Sequence, residues 1–177
     1  MTGFEVKQVR YRDETYVGYV NKESDGSASR ASTGYRTKDG KPDGQVTAFF
    51  GALLDAIAVS DGPVPTVSDQ DAYYMPIGVV GGIVGGIVGG SEEGNTLQGA
   101  TPSQSVPNTD GSTSVSMSMG DRQKALDGLV AGGWLSREGE DRVGLGPRSL
   151  LELHQVVLRT DGVSDDTVQY VNSCLGL

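Results

Sequence analysis

Residues 125–153 read ALDGLVAGGWLSREGEDRVGLGPRSLLEL, and this segment has the clearest secondary-structure pattern of the chain. Apolar side chains spaced three and four residues apart predict a helix from about 119 to 132, which Gly132 and Gly133 would end. Residues 134–136 and 142–145 predict two short strands on either side of a polar, glycine-containing turn. A final helix would begin at Pro147, because proline is favoured in the first helical turn.

Another amphipathic helix is predicted ahead of this stretch, at about 45–59, within GQVTAFFGALLDAIAVSDG. Its apolar residues recur at three- and four-residue spacing, and the run SDGP would end it. Two helices, a small hairpin and a last helix in this order are typical of a winged-helix domain, predicted here at 45–160. A flexible insertion at 60–116 would interrupt that domain.

The N-terminal segment FEVKQVRYRDETYVGYVN, residues 4–21, predicts a β-hairpin around the polar turn at 12–14. The alternation divides the apolar side chains between two faces: Phe4, Val6, Val9, Tyr16 and Val20 on one, Val17 and Tyr19 on the other. A two-stranded hairpin is only marginally stable alone, so it must pack on something. The predicted fold class is therefore α+β, mostly α with small β-hairpins: a hairpin at 1–22, a loop at 23–44 and the winged helix.

The insertion contains IGVVGGIVGGIVGG at 77–90, three tandem copies of two apolar residues and two glycines. The uncharged run 72–91 has about the length that spans a bilayer, so a membrane tether is one alternative. Seven of its residues are glycine and both flanks are acidic, which leaves no basic anchor to orient a span. We therefore expect a long, disordered, glycine-rich insertion and no membrane partner.

The charge of the chain is unevenly distributed. Its net charge is −9, and no Lys or Arg lies between residues 42 and 121, where nine acidic residues occur. The predicted wing at 137–142 is also net acidic and would be repelled by phosphates. The winged helix is thus interpreted as a protein-interaction module with at most weak or indirect DNA contact. A stand-alone nucleic-acid binder is the alternative.

Few residues of the chain could act in catalysis or bind a cofactor. The chain has one His, His154, and one Cys, Cys174, so neither a disulfide framework nor a nucleophile–base pair can be argued. The glycine repeat lacks the Lys-Ser/Thr of a phosphate-binding loop. No catalytic residue and no cofactor are predicted within this chain.

Gly133-Trp134-Leu135 and the run LGPRSLLEL at 145–153 resemble the second winged helix of the non-structural maintenance of chromosomes element 1 family. That family is the RING-like subunit of the structural maintenance of chromosomes 5–6 complex. The hairpin at 4–21 is similar to the wing of the family's first winged helix, and QVTAFFGALLDAIA to the first helix of its second. The hairpin would then be a remnant of an incomplete first winged helix, in a chain truncated at both ends.

The resemblance implies a nuclear subunit that acts in DNA repair and recombination. It would dock on the complex's MAGE-like winged-helix subunit and, through it, on the kleisin. The intact family is a zinc-binding, RING-type E3 ubiquitin ligase, and a ubiquitin-conjugating enzyme would be a partner only where that RING-like domain is present. Residues 161–177 would be a linker toward this domain, with Cys174 as its first zinc ligand.

Two further expectations concern single side chains. Trp134 is expected to anchor the core, and Arg148 and Glu152, four residues apart on the last helix, should form an ion pair. The partner-binding surface is expected to include four residues: Phe49, Phe50, Leu53 and Arg148.

Overall fold

The computed structural model describes residues 4–21, 43–77 and 117–177. The strands are β1 (Phe4–Tyr11), β2 (Glu14–Asn21), β3 (Thr66–Ser68), β4 (Leu135–Arg137) and β5 (Arg142–Leu145). The helices are α1 (Gly44–Ala58), α2 (Asp69–Tyr74), α3 (Met119–Ala131), α4 (Pro147–Glu152), α5 (His154–Leu158) and α6 (Asp165–Leu175). This mixture confirms the α+β class.

Most of the predicted loop at 23–44 and the glycine-rich repeat lie outside the described residues. Within the described ranges, none of the helices has the length and hydropathy needed to cross a bilayer.

The N-terminal hairpin forms as predicted, with a two-residue turn. Arg12 and Asp13 both have positive φ, 49° and 64°, the backbone of a tight turn whose twist matches that of the strands. Glu14, expected in the turn, opens β2 opposite Tyr11. The predicted faces are wrong at two positions, Phe4 and Val6. Both side chains are exposed, whereas Val9, which was expected on the same face, is buried. Because strand side chains alternate, residues 4 and 6 cannot share a face with residue 9.

Helix α1 lies at the centre of the core and differs from the predicted 45–59 by one residue at each end. Asp43 caps it by accepting hydrogen bonds from the backbone N–H groups of Gln45 and Val46. Five large apolar side chains of α1 are fully buried: Phe49, Phe50, Leu53, Leu54 and Ile57. The helix therefore meets neighbours over a wide arc.

Residues 60–77, expected to belong to the flexible insertion, contain ordered elements. Strand β3 pairs antiparallel with β5, with Thr66 opposite Gly144, so the second sheet has the order β3-β5-β4. Helix α2 follows directly and is capped by Ser68. Both elements are too short to show a hydrophobic period, and β3 is fixed by pairing with residues more than 70 positions away.

The hairpin after α3 and the last predicted helix also differ in detail from expectation. The first wing strand starts at Leu135, one residue later than predicted. The final helix is divided at Leu153, whose φ of −118° separates α4 from α5. Trp134 is 1% exposed and meets the Phe50 ring edge-on at 5.7 Å, which confirms it as a core residue.

The predicted linker at 161–177 contains helix α6. Ser164 caps its N-terminus and Gly176, at φ 74°, ends it. Its Thr167 and Val171 side chains are fully buried. The helix packs on β1 and on α4 and α5, so the last described element covers the first.

Gly146 is required because two chain segments cross there. A Cβ at this position would overlap the carbonyl oxygen of Gly133 and approach the carbonyl carbon of Leu135 to 2.9 Å. The crossing is closed by hydrogen bonds from Gly146 N to Trp134 O, 2.9 Å, and from Arg148 N to Gly133 O, 3.0 Å. All the atoms involved are backbone, so no rotamer change can make room.

We therefore expect Gly146→Ala to lower the free energy of unfolding by at least about 2 kcal/mol, as overpacking against rigid surroundings does. Gly120→Ala is the control, because a Cβ there meets nothing within 4 Å. Urea denaturation of both variants measures the difference. Equal midpoints for Gly146→Ala and the parent chain would contradict the crossing.

Candidate functional site

Arg122, in the first turn of α3, is held inside the fold. Its Nη1 donates hydrogen bonds to the carbonyl oxygens of Tyr73, at 3.0 Å, and Met75, at 2.6 Å. The guanidinium also lies 5.8 Å from the centroid of the Phe49 ring. Arg122 thus holds the end of α2 against α3 and is not presented to an external phosphate.

The two arginines of the β4–β5 hairpin, Arg137 and Arg142, also form contacts within the chain. Nη1 of Arg137 lies 2.6 Å from both carboxylate oxygens of Asp69, and Nη2 lies 3.4 Å from Asp127. The hydrogen bond to Asp69 raises the pKa of Arg137 despite partial burial. Arg142 donates to the Thr66 hydroxyl at 2.8 Å. These contacts hold β3 and α2 on the wing.

This use of the arginines weakens any phosphate-binding surface around α3 and the wing. DNA binding depends on cations that are free to replace the counterions of the phosphates. Residues 117–177 contain six Lys or Arg against nine Asp or Glu. Arg122, Arg137 and Arg142 are therefore used within the chain, in a region with excess negative charge.

Arg148, expected at a partner surface, has two contacts within the chain. Its guanidinium lies 4.2 Å above the Trp134 ring and its Nε donates to Glu152 at 2.8 Å. The predicted ion pair is thus confirmed. The Arg148 side chain remains 44% exposed, so its outer edge is accessible, and its partner role stays a prediction.

The other three expected partner residues cannot reach a partner. Phe49, Phe50 and Leu53 are each 0% exposed and belong to the core of this chain. That expectation was wrong because helical periodicity identifies an apolar stripe but not the element that covers it. Here α3, the second sheet and α5 cover α1.

A polar cluster joins the N-terminal hairpin to the wing, and sequence reasoning missed it. Oε1 of Glu138 accepts three hydrogen bonds: from Tyr11 at 2.8 Å, from Ser136 at 2.8 Å and from Arg12 at 2.7 Å. The Tyr11 and Ser136 oxygens are 2.5 Å apart. These four residues define the hairpin–wing junction. More than 120 residues separate its two sides, so no local pattern could have revealed it.

The junction shifts two pKa values in opposite senses. Burial, aided by the charge of Glu138, raises the pKa of Tyr11 to about 12. For Glu138 itself, burial acts to raise the pKa. The hydrogen bonds from Ser136, Tyr11 and Arg12 outweigh that effect and hold the pKa below its usual value. The phenol is therefore neutral and the carboxylate charged at neutral pH.

Cys174 and His154 do not form a metal site with other described residues. Cys174 lies half-buried on α6, and burial raises the pKa of its thiol, which disfavours the thiolate that zinc requires. Burial also lowers the pKa of His154, assisted by the charge of Lys7. The described residues contain no group of three or more His, Cys, Asp or Glu that could hold an ion. They do not fit a zinc centre.

Removing the Tyr11 hydroxyl should loosen the junction. We expect Tyr11→Phe to cost about 1.5–3 kcal/mol of folding free energy, the usual value for a hydrogen bond to a charged group. Tyr16→Phe is a matched control, since Tyr16 on the same hairpin also donates to a glutamate, Glu14, at 2.8 Å but in solvent. Thermal unfolding compares them, and equal shifts would contradict the junction's role.

The junction should also contribute to acid sensitivity. Unfolded Glu138 has an ordinary pKa near about 4.3, and its folded pKa is lower. Between these values the unfolded state binds more protons, so stability falls as the pH drops through this range. We expect Glu138→Gln, although less stable at pH 7, to lose less further stability between pH 7 and pH 3. Glu140→Gln, exposed on the same wing, should keep the parent slope; a parent-like slope in Glu138→Gln would contradict the assignment.

The chain matches a known protein family. The family model for the Nse1 non-SMC component of SMC5-6 complex matches residues 1–153. No curated protein and no solved structure gave a match. The family match agrees with the resemblance of the hairpin, of α1 and of the Trp134–Leu153 segment. Because it covers most of the chain, the chain belongs to the Nse1 family, whose members are subunits of the chromosomal SMC5-6 complex and act in genome maintenance.

Proposed function

We propose that this chain is a winged-helix scaffold subunit that docks on the MAGE-like subunit of the SMC5-6 complex and, through it, on the kleisin. In this role it acts in DNA repair and recombination in the nucleus. The observation that carries the proposal is the internal use of Arg122, Arg137 and Arg142. A winged helix whose cations hold its own sheet and helices together is suited to protein contact.

The winged-helix assignment is supported by the order of elements. Helix α1, strand β3, helices α2 and α3, and strands β4 and β5 follow one another, and the strands pair in the order β3-β5-β4. In a DNA-binding member of this class the third helix enters the major groove. Here that helix is α3, which has Asp121 and Asp127 among its exposed residues.

The E3 ubiquitin-ligase role of the intact family is a separate proposal that needs a zinc-bound RING-like domain and a ubiquitin-conjugating enzyme. The described residues offer Cys174 alone as a thiol, on a helix that packs on β1. We derive no catalytic step from it. For this chain the proposed activity is docking.

Co-expression with the MAGE-like subunit tests the proposal. We expect one peak of one-to-one stoichiometry in size-exclusion chromatography. Arg148→Ala should weaken the complex if the exposed edge of Arg148 contacts the partner, whereas Arg159→Ala, at the C-cap that follows α5, should not. Melting curves of both variants will show whether a loss of binding reflects a loss of folding. Two separate peaks for the parent proteins would overturn the scaffold role.

Binding to a short DNA duplex tests the alternative of a stand-alone nucleic-acid binder. A binder that neutralises several phosphates loses roughly 10³-fold or more in affinity between 50 and 200 mM salt. We expect only weak binding by fluorescence anisotropy even at 50 mM. Tight binding with a steep salt dependence would favour the alternative.

A further inference from the structure

One face of the N-terminal hairpin is apolar and is not covered by any element of the described ranges 4–21, 43–77 and 117–177. Four large side chains on this outer hairpin face are mostly exposed: Phe4 67%, Val6 60%, Val17 63% and Tyr19 79%. The strand register places Val6 directly opposite Tyr19, and Val17 opposite Gln8. The other face of the same hairpin is buried against α4 and α6. Apolar side chains on both faces are typical of a sheet with a layer packed on each side.

The outer hairpin face is large enough to form an interface. Exposed aromatic and branched side chains of this number present on the order of 500 Å² of apolar surface. A patch of this size on a monomeric protein is often functional. Two such faces in contact would bury on the order of 1,000 Å², close to the lower limit for a specific interface.

The charges around the face permit two copies to approach. Residues 4–21 contain three basic and three acidic side chains, so the hairpin is neutral in a chain of net charge −9. On the outer face the only ionised group is that of Arg10, which lies at the turn end, 3.4 Å from Asp13. Two copies can therefore meet through this face without bringing excess charge of one sign together.

We propose that the outer hairpin face packs against the same face of a second copy of this chain, in a two-fold symmetric dimer. Face-to-face stacking removes all four side chains from water at the ordinary spacing of packed sheets, about 10 Å. Edge-to-edge pairing of the hairpins would leave the apolar face exposed.

Static light scattering of the full chain between about 1 and 100 µM tests the dimer, since interfaces near the lower size limit dissociate in the micromolar range or above. We expect the mass to rise toward twice 18.5 kDa. The rise should persist at high salt, because the contact is apolar. A monomeric mass at every concentration would overturn the proposal.

Matched double variants identify the surface. Val17→Thr with Tyr19→Thr preserves strand propensity and should weaken dimerisation at least about tenfold. Val59→Thr with Tyr74→Thr makes the same changes at side chains 46% and 70% exposed elsewhere, and should leave dimerisation unchanged. Circular dichroism checks that both remain folded. An unaltered dimer in the hairpin variant would place the contact on another surface and overturn the proposal.

The test is independent of the scaffold role, because it needs no other protein. A chain that stays monomeric, while the hairpin variant loses the MAGE-like subunit, would assign the outer hairpin face to that partner. This result would overturn the dimer and support the scaffold proposal. A dimer with no affinity for the MAGE-like subunit would support the dimer and overturn the scaffold proposal.

Discussion

The crossing of the backbone at Gly133 and Gly146 fixes how helix α3, the β4–β5 hairpin and the helices after it lie relative to one another. Gly146 leaves no room for a Cβ beside the Gly133 carbonyl, and Gly133 has a φ of 74°, a backbone conformation that favours glycine. Their hydrogen bonds, together with the Ser149 hydroxyl on Trp134 O at 2.5 Å, fix where the Trp134 ring points. That ring then packs between Phe50 on one side and the guanidinium of Arg148 on the other. Helix α3, the β4–β5 hairpin and the final helices α4 and α5 are thus all held at this crossing.

The arginines show how a structural demand limits function. Arg122 holds the end of α2, Arg137 holds the start of α2, and Arg142 holds β3. Each contact replaces water around a cation with protein oxygen and stabilises elements too short to persist alone. The same contacts remove positive charge from the surface that a DNA-binding winged helix would use. This internal use of the arginines is the physical basis for the proposal that the chain docks on protein.

How much could be predicted from the sequence depends on how far apart along the chain the interacting residues lie. Helix α1 and the hairpin at 4–21 were predicted to within a residue or two, because periodicity and turn chemistry act locally. Strand β3 was missed because three residues carry no period and its partner lies more than 70 positions away. Helix α6 had local signals in Ser164 and the acidic pair at 165–166, which were read as linker.

The candidate site was harder to predict than the fold. The pairing of Arg148 with Glu152 was predicted because it spans one helical turn. Phe49, Phe50 and Leu53 were placed at a partner surface because a stripe of apolar residues looks the same whether its cover is internal or external. The contacts of Tyr11 and Arg12 with Glu138 depend on tertiary structure alone. No spacing rule links residues so far apart.

The packing of α6 on β1 has a consequence for synthesis of the chain on the ribosome. The hairpin is complete at residue 21, but the two helices that cover its inner face, α4 and α6, begin at residues 147 and 165. At about 5–20 residues per second, the ribosome needs on the order of ten seconds to make the intervening chain. Throughout that interval Val9 and Val20 lack their native cover, while both hairpin edges are open to other strands. The nascent hairpin is therefore a segment that a chaperone could protect during translation.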